Sequence, residues 1–338
     1  MTSTSKPVRR VTANVFGLPF GLCGLAQCWA TAHAVSGTPR WPADALWIFT
    51  AVVWAATLTW YGRDVVRAGR LRTELSDPVF APFTALIGIV PMFLGVALAG
   101  RSRPAGEAVF SVGLMLTVAL GGWLAGQWLV ADMKLAQWHP GYYLPTVGGG
   151  LIGAGGSAAL GHHTLAMALY GYGVICWLIL GAVISLRLFV SPALPPPLRP
   201  TLAILVAPPV VAGNAWFLIN GGRTDALAAG LAGFAIFMVI VQLRLIPVYR
   251  RVPFGPGWWA FSFSYAAAFT LAVNWVAGSD RGAALLLAVL TLGMAALAVP
   301  TVQRLAAGTY LPAAGASAGP PVPILGQPGG GRLSRPAR

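Results

Sequence analysis

Side chains that could carry out catalysis are few and scattered in this chain of 338 residues. Asp132 and Asp280 each stand alone at the end of an apolar segment, as does His139, for which an interfacial or capping role is expected. The adjacent His162 and His163 lack the i,i+4 spacing that places two metal ligands on one helix face. The sequence therefore predicts no enzyme, metal or cofactor. Packing is the expected role of the three cysteines, Cys23, Cys28 and Cys176.

Neutral polar side chains within the apolar segments indicate a different chemistry. The hydroxyl groups of Thr146, Ser262 and Ser264 and the amides of Asn214 and Asn274 can donate hydrogen bonds, if they face inward. Together with exposed backbone dipoles, such groups would bind an anion weakly. Weak binding suits conduction, because an ion must leave a pore as readily as it enters. An ionisable side chain in the middle of a membrane segment is the usual mark of a proton relay or of ion coupling. The middles of these segments contain almost none.

The elements that must position these groups are apolar segments with a proline and a nearby glycine. Prolines recur in them at intervals of roughly 55 to 70 residues. A proline within a helix bends the axis and frees backbone carbonyls, which are costly in lipid unless they face protein or water. We therefore predict an inner ring of kinked helices around a path, although for the glycine-rich segment after Pro145 close packing alone is an equal alternative. The pore-lining residues predicted from this pattern are Pro19, Gly21, Pro91, Gly95, Pro145, Thr146, Gly148, Pro208, Pro209 and Gly213.

Apolar runs of about 20 residues, the length that spans a bilayer as a helix, fill most of the chain. Hydrophobic residues make up 57% of the sequence and charged residues 9%. The pattern predicts an all-α integral membrane protein, with the proline-poor, even-numbered spans forming an outer, lipid-facing ring. The ten predicted spans are Val11–Val35, Trp41–Tyr61, Val79–Ala99, Glu107–Ala131, Gly141–Gly161, Leu165–Val190, Pro200–Asn220, Asp225–Ile246, Trp258–Ala277 and Gly282–Gln303.

The net charge of +14 is distributed as a topology signal. With ten spans, 17 of the 22 lysines and arginines fall on the side of the two termini, which predicts that both termini are cytoplasmic. Among them, Arg250 and Arg251 would either concentrate anions at a pore mouth or serve as topology determinants alone. A nucleic-acid partner is not expected, whereas contact with anionic lipid is. Lysine is scarce in this chain, whereas arginine, alanine and glycine are abundant. Such a composition is typical of a prokaryote with a GC-rich genome, so the expected location is a bacterial inner membrane.

The chain divides into three parts. A short basic lead covers residues 1–10, and the ten-helix transmembrane domain covers residues 11–305. Residues 306–338 form a tail rich in glycine, proline and arginine, for which disorder is the expected state.

Several stretches together resemble one known family, the tellurite-resistance/dicarboxylate transporter family, which includes the bacterial TehA proteins and the plant slow anion channels. The stretches are residues 16–22, 139–148, 199–213 and 258–263, and the resemblance extends over about residues 11 to 305. It implies five helical hairpins in a quasi-fivefold arrangement, with the odd-numbered helices around a central pore. It also implies a homotrimer with one anion pore per subunit.

The resemblance further implies that a phenylalanine of the ninth helix closes the pore. The matching residue is Phe263, and Phe261 must point elsewhere because residues two apart on a helix differ in direction by about 200°. Many relatives have a proline directly after this phenylalanine, whereas this chain has Ser264, which we count among the pore-lining residues. Alignment of Ser264 with the four prolines places no second aromatic ring at the level of Phe263, so a gate of one ring is expected.

Two transport functions remain open at this point. The first is a passive channel for small monovalent anions such as chloride or nitrate. The alternative is a proton-coupled carrier or exporter of C4-dicarboxylate, sulfite or tellurite-type oxyanions, which would normally require a titratable group at the middle of the membrane. No such group is found in the sequence, and the channel is therefore favoured.

Overall fold

The computed structural model describes residues 10–311, and this part of the chain is helical, without a strand. The predicted tail from residue 312 onward and the first nine residues of the predicted lead lie outside the described residues. The α-helices are α1 Gly17–Ser36, α2 Trp41–Arg67, α3 Leu71–Ser76, α4 Leu86–Ala99, α5 Arg103–Val130, α6 Gly149–Ala159, α7 His163–Val190, α8 Ala207–Ile219, α9 Ala226–Tyr249, α10 Ala260–Trp275 and α11 Asp280–Ala306.

Eight helical segments of the described chain are long and apolar enough to cross a membrane, which confirms the prediction of a polytopic membrane protein. Predicted spans five and nine are not among them. Helix α6 has only 11 residues and α10 only 16. Each follows a stretch wound as π or 3₁₀ turns that contains a proline, Pro145 or Pro256, which cannot donate an α-helical hydrogen bond. The eight segments are Ala13–Ser36, Trp41–Arg67, Ala81–Ala99, Arg103–Val130, His163–Val190, Pro196–Ile219, Ala226–Tyr249 and Asp280–Ala306.

Five helices, which we call the inner helices, contact one another in series. Helix α1 contacts α4 and α10, α6 contacts α4 and α8, and α8 contacts α10. The outer helices α2, α5, α7, α9 and α11 each pack against the inner helix that precedes them in the chain. The three spans that contain α1, α4 and α8 are 67–72% buried, whereas the outer helices are only 17–28% buried. The even-numbered spans are therefore the exposed ones, as predicted.

Each inner helix begins with a tighter or wider helical turn before the regular α-helix. The turns are 3₁₀ before α1, α4, α8 and α10, and π before α6. This arrangement corrects the prediction that each proline kinks a helix in its middle. Pro208 and Pro209 lie in the first turn of α8, and Pro19 lies in the first turn of α1. Backbone N–H groups of a first turn have no partner within the helix, so proline is tolerated there. Pro91 is the one of these prolines inside a regular α-helix, α4.

Glycines allow α4 and α5 to lie backbone against backbone. A Cβ atom on Gly95 would lie 2.4 Å from the backbone nitrogen of Phe110, and one on Gly106 would lie 2.4 Å from that of Ala99. Gly88 and Gly113 face each other in the same way about two turns away. Small residues at a membrane helix interface permit such close approach.

We predict that Gly95→Ala destabilises the protein by about 1–3 kcal/mol, the usual cost of overpacking, because backbone rather than a flexible side chain lies in the way. Gly122→Ala is the matched control, since that glycine of α5 is exposed and has nothing within 4 Å of the added methyl group. Thermal unfolding of the detergent-solubilised variants measures both. Equal melting temperatures for the two variants would contradict the close contact of α4 with α5.

An ion cluster fixes the chain where it enters α1. The side chain of Glu74 in α3 is fully buried, and Arg10 Nη2 lies 2.6 Å from its Oε1. Arg10 also pairs with Asp77 at 3.6 Å and lies over the ring of Phe80. Burial raises the pKa of the Glu74 carboxyl group, and the hydrogen bond from Arg10 opposes that rise. The cluster therefore joins the start of the described chain to α3 and to the turn before α4.

The variant Arg10→Ala should lose more stability at mildly alkaline than at mildly acidic pH. Without Arg10, the pKa of Glu74 in the folded protein lies further above its value in the unfolded chain. A carboxyl group with a raised pKa stabilises the folded protein at pH values below the unfolded pKa. This stabilisation is lost as the pH rises through the folded-state pKa. Melting temperatures across this pH range test the prediction. Arg72→Ala, an exposed change on the same helix, is the control. A loss for Arg10→Ala that does not vary with pH would contradict it.

Candidate functional site

Phe263 lies in a cluster of three aromatic rings from three inner helices. Its side chain is 6% exposed. The ring of Phe20, from α1, stacks on it with centroids 3.7 Å apart and planes inclined by 17°. The ring of Phe93, from α4, meets it edge-on with centroids 5.7 Å apart. The expectation of a single ring at this level is therefore wrong.

The second ring is brought to Phe263 by the close approach of α1 to α10. A Cβ atom on Gly24 would lie 2.7 Å from Cβ of Ala266 and 3.2 Å from Cδ2 of Phe263, and one on Gly21 would lie 2.1 Å from Oγ of Ser262. Alignment on the prolines assumes that every inner helix has the same rotation and distance from its neighbours. The glycines of α1 break that equivalence, and the spacing of Gly17, Gly21 and Gly24 was the available sequence signal.

Phe261 points away from the ring cluster, as the helical geometry predicted. Its ring meets that of Tyr249 on the outer helix α9 with centroids 4.8 Å apart, and it stacks on Trp258 at 5.5 Å. Two phenylalanines separated by one residue thus have different surroundings.

Two chambers meet at Phe263. The N-terminal chamber, of about 50 Å³, is lined mainly by the first turns of the inner helices, and the C-terminal chamber, of about 420 Å³, is lined mainly by their later turns. Four residues belong to both walls: Leu151 and Ile152 of α6, Val211 of α8 and Phe263 of α10. The aromatic cluster therefore lies at the narrow place between two open volumes.

Among the residues predicted to line a pore, Gly148, Pro208 and Ser264 line the N-terminal chamber. The Ser264 hydroxyl donates to the carbonyl oxygen of Ala260 at 3.1 Å. Asn14 adds an amide to this wall, and the other side chains of the wall are apolar or aromatic, among them Tyr143 and Trp259. This chamber offers little to hold an ion strongly.

The other predicted pore-lining residues are outside both chamber walls in the described structure. Three of them, all glycines, lie in helix contacts instead. A Cβ atom added to Gly21 would contact Ser262. One added to Gly95 would contact Phe110, and one added to Gly213 would contact Leu271. Those without a place in either wall are Pro19, Gly21, Pro91, Gly95, Pro145, Thr146, Pro209 and Gly213.

Uncharged polar side chains line the C-terminal chamber. The Asn214 amide donates to the carbonyl oxygen of Ala267 at 2.8 Å, and its Oδ1 accepts from Nδ2 of Asn274 at 3.3 Å. On α1, Nε2 of Gln27 donates to Oγ1 of Thr31 at 3.2 Å. The walls that are described for both chambers contain no ionisable side chain apart from the weakly acidic phenol of Tyr143.

Sequence reasoning considered Asn214 and Asn274 but missed Gln27, Thr31 and Thr270, which line the same chamber. Helical spacing was the available signal. Thr270 and Asn274 follow Phe263 by 7 and 11 residues of α10, about two and three helical turns, so the three side chains share one face. Gln27 and Thr31 are four residues apart on α1 and therefore also share a face.

His139 is a buried cap of a helical turn. Its Nδ1 accepts a hydrogen bond from the backbone N–H of Gly141 at 3.1 Å, and its Nε2 lies 3.3 Å from the carbonyl oxygen of Pro78. Burial lowers the pKa of His139 to about 4, so the imidazole is neutral at physiological pH. Of the two roles predicted for His139, interfacial and capping, the structure shows capping. No cluster of metal-ligating side chains is found in residues 10–311.

The fold and the site thus define a polytopic membrane protein with two chambers that meet at an aromatic constriction. The family model described as voltage-dependent anion channel, SLAC1, matches residues 10–310, and the chain belongs to this family. The resemblance inferred from the sequence is therefore confirmed.

Individual relatives are bacterial and plant proteins. The chain is 31% identical over 270 residues to the tellurite resistance protein TehA homolog of Haemophilus influenzae, which covers 75% of this chain and 77% of the relative. It is 25% identical to the guard cell S-type anion channel SLAC1 of Arabidopsis thaliana, over 79% of this chain and 50% of the relative. The S-type anion channel SLAH3 of the same plant is also 25% identical, over 77% of this chain and 42% of the relative. The chain therefore spans at most half the length of these two plant channels.

Proposed function

We propose that this protein is a channel that conducts small monovalent anions, such as chloride or nitrate, with Phe263 as its gate. The observation that carries the proposal is the position of Phe263, which belongs to the walls of both chambers and is covered by Phe20 and Phe93. Movement of this ring would join the two chambers. Rotation of one side chain within a rigid ring of helices is a simple way to open such a path.

The proposed pore is formed by ten spans as five helical hairpins in a quasi-fivefold arrangement. The serial contacts of α1, α4, α6, α8 and α10 support this arrangement, as does the pairing of each inner helix with the outer helix that follows it. The short helices α6 and α10 act as spans because their 3₁₀ and π turns extend them. Shielding by neighbouring helices allows irregular backbone at membrane depth.

The electrostatics of the chambers support an anion as the conducted species. No carboxylate lines either described wall, and the amides and hydroxyls there are hydrogen-bond donors. Neutral donors replace only part of a hydration shell, which favours a small monovalent ion over a divalent one. The plant relatives are named S-type anion channels, which agrees with this choice.

The proposed location is the bacterial inner membrane with both termini in the cytoplasm, as the placement of basic residues favours. Arg250 and Arg251, both exposed after α9, would then lie on the cytoplasmic side with the N-terminal chamber. Lipid would cover the outer helices, whose apolar side chains are exposed. A homotrimer with one pore per subunit completes the proposal, on the basis of the family resemblance.

A carrier is the second candidate function. The C-terminal chamber, of about 420 Å³, has room for a C4-dicarboxylate, sulfite or a tellurite-type oxyanion. The Haemophilus relative is named a tellurite resistance protein, which agrees with the tellurite-type oxyanion among these ligands. The neutral lining argues against proton coupling, because no carboxylate or histidine in these walls could carry the proton.

Phe263→Ala is expected to raise anion current many-fold, because it removes the largest side chain shared by the two chambers. Current through the purified protein in planar bilayers, first in chloride and then in nitrate, measures the effect. Phe261→Ala is the matched control, since it deletes the same side chain two residues away on a face turned towards α9.

The opposite results are equally informative. If Phe263→Ala conducts no better than Phe261→Ala, Phe263 does not gate a pore. If neither variant nor the wild type conducts, and liposomes accumulate labelled malate under a proton gradient, the carrier replaces the channel.

Phe20→Ala should raise the current by less than Phe263→Ala, because it removes the ring that holds Phe263 in place and leaves Phe263 itself. The double variant should conduct about as well as Phe263→Ala alone, since Phe20 acts through Phe263. Single-channel or macroscopic current of the three variants forms a double-mutant cycle. Independent, multiplicative effects would show that the stack of the two rings does not control opening.

A further inference from the structure

We propose that the C-terminal chamber contains a binding site for a partly hydrated monovalent anion, formed by Gln27, Thr31, Asn214 and Asn274. This inference rests on the proposed function and goes further, because it assigns the place where the ion is held in the chamber that the gate closes. All four side chains line the chamber that Phe263 closes at one end.

The first half of the site is the pair of asparagines from α8 and α10. Asn274 donates one amide hydrogen to Oδ1 of Asn214, and Asn214 donates one to the carbonyl oxygen of Ala267. Each NH₂ group has two hydrogens. The second hydrogen of each amide has no partner among the described residues. The bond that Asn214 accepts from Asn274 and the bond that it donates to Ala267 together fix the orientation of the Asn214 amide.

The second half is the pair on α1. Gln27 donates one amide hydrogen to Oγ1 of Thr31, which leaves the second amide hydrogen and the hydroxyl hydrogen of Thr31 without a described partner. Thr270, in contrast, donates its hydroxyl hydrogen to the carbonyl oxygen of Ala266 at 2.9 Å. We therefore leave Thr270 out of the site.

These pairings orient the site towards a negative ion. The oxygens of Asn214 and Thr31 already accept hydrogen bonds from Asn274 and Gln27. Four N–H and O–H hydrogens of the site then have no described partner, against two amide oxygens, those of Gln27 and Asn274, so donors are in excess. No lysine or arginine lines the described wall, so the attraction is that of dipoles, and an ion held there can leave. The volume of about 420 Å³ accommodates an ion with several waters, each of which occupies about 30 Å³ in the liquid.

The position of the site follows from the helical repeat of α10. Phe263, Ala267, Thr270 and Asn274 follow one another at spacings of four, three and four residues and all line the chamber. An ion beside Asn274 is therefore about three turns of α10 from the gate residue. The anion would wait in the C-terminal chamber until the ring of Phe263 moves.

Two substitutions test the site. Thr31→Val removes a donor hydrogen at nearly constant shape, and Asn274→Asp adds a negative charge at nearly constant shape. Thr59→Val is the matched control, because Thr59 is an exposed threonine of the outer helix α2. The probe is nitrate, with gluconate at equal ionic strength as the reference anion.

The first readout is the melting temperature of the purified protein, which a ligand raises when it binds only the folded state. We expect nitrate to raise the melting temperature of the wild type and of Thr59→Val. The rise should be smaller in Thr31→Val and absent in Asn274→Asp. The same rise in all four proteins, or no rise in the wild type, would overturn the proposal.

The second readout is the dependence of current on nitrate concentration, with Phe263→Ala as the conducting background. Adding Thr31→Val should raise the half-saturating nitrate concentration about tenfold, the effect of one hydrogen bond to a charged group. Unchanged half-saturation would overturn the site while the channel stands. If the Phe263→Ala background conducts nothing but nitrate still raises the melting temperature through Asn274, the site stands and the proposed channel fails.

Discussion

The close contact between α1 and α10 is the constraint on which the arrangement of the site depends. Gly21 and Gly24 leave no room for a Cβ atom between the two helices. Phe20 therefore lies directly over Phe263, and Gln27 and Thr31, further along α1, reach the same chamber as Asn274 of α10. A single helix contact thus sets both the constriction and one wall of the C-terminal chamber.

The two chambers are lined without a charged side chain, so the proposed path for ions would depend on neutral groups. Fixed charges within a membrane are costly and bind counter-ions tightly. Here amides and hydroxyls are present instead, and backbone hydrogen bonding changes from 3₁₀ or π to α along each inner helix. Charged side chains lie outside the two chamber walls, for example in the ion pair between Arg10 and Glu74 of α3. That ion pair fixes the start of α1 and so supports the contact with α10.

The sequence by itself determined the membrane class, the alternation of buried and exposed spans and the opposite directions of Phe261 and Phe263. These properties depend on apolar length and on the helical repeat, which are local. The proline pattern located four of the five inner helices, all but α10, although Pro19, Pro208 and Pro209 lie in first turns rather than at kinks. The family was also identifiable from the sequence, because its motifs fall on these same helices.

Only the tertiary structure decided which glycines pack and which line a chamber. Gly148 lines the N-terminal chamber, whereas Gly95 lies against the backbone of α5, and no local pattern separates the two. The stack of Phe20 on Phe263 and the hydrogen bond of Asn274 to Asn214 join residues far apart in the chain, 60 residues in the second case. The physical reason is that periodicity fixes the faces of one helix, while the distance and rotation between helices depend on the small residues where distant segments meet.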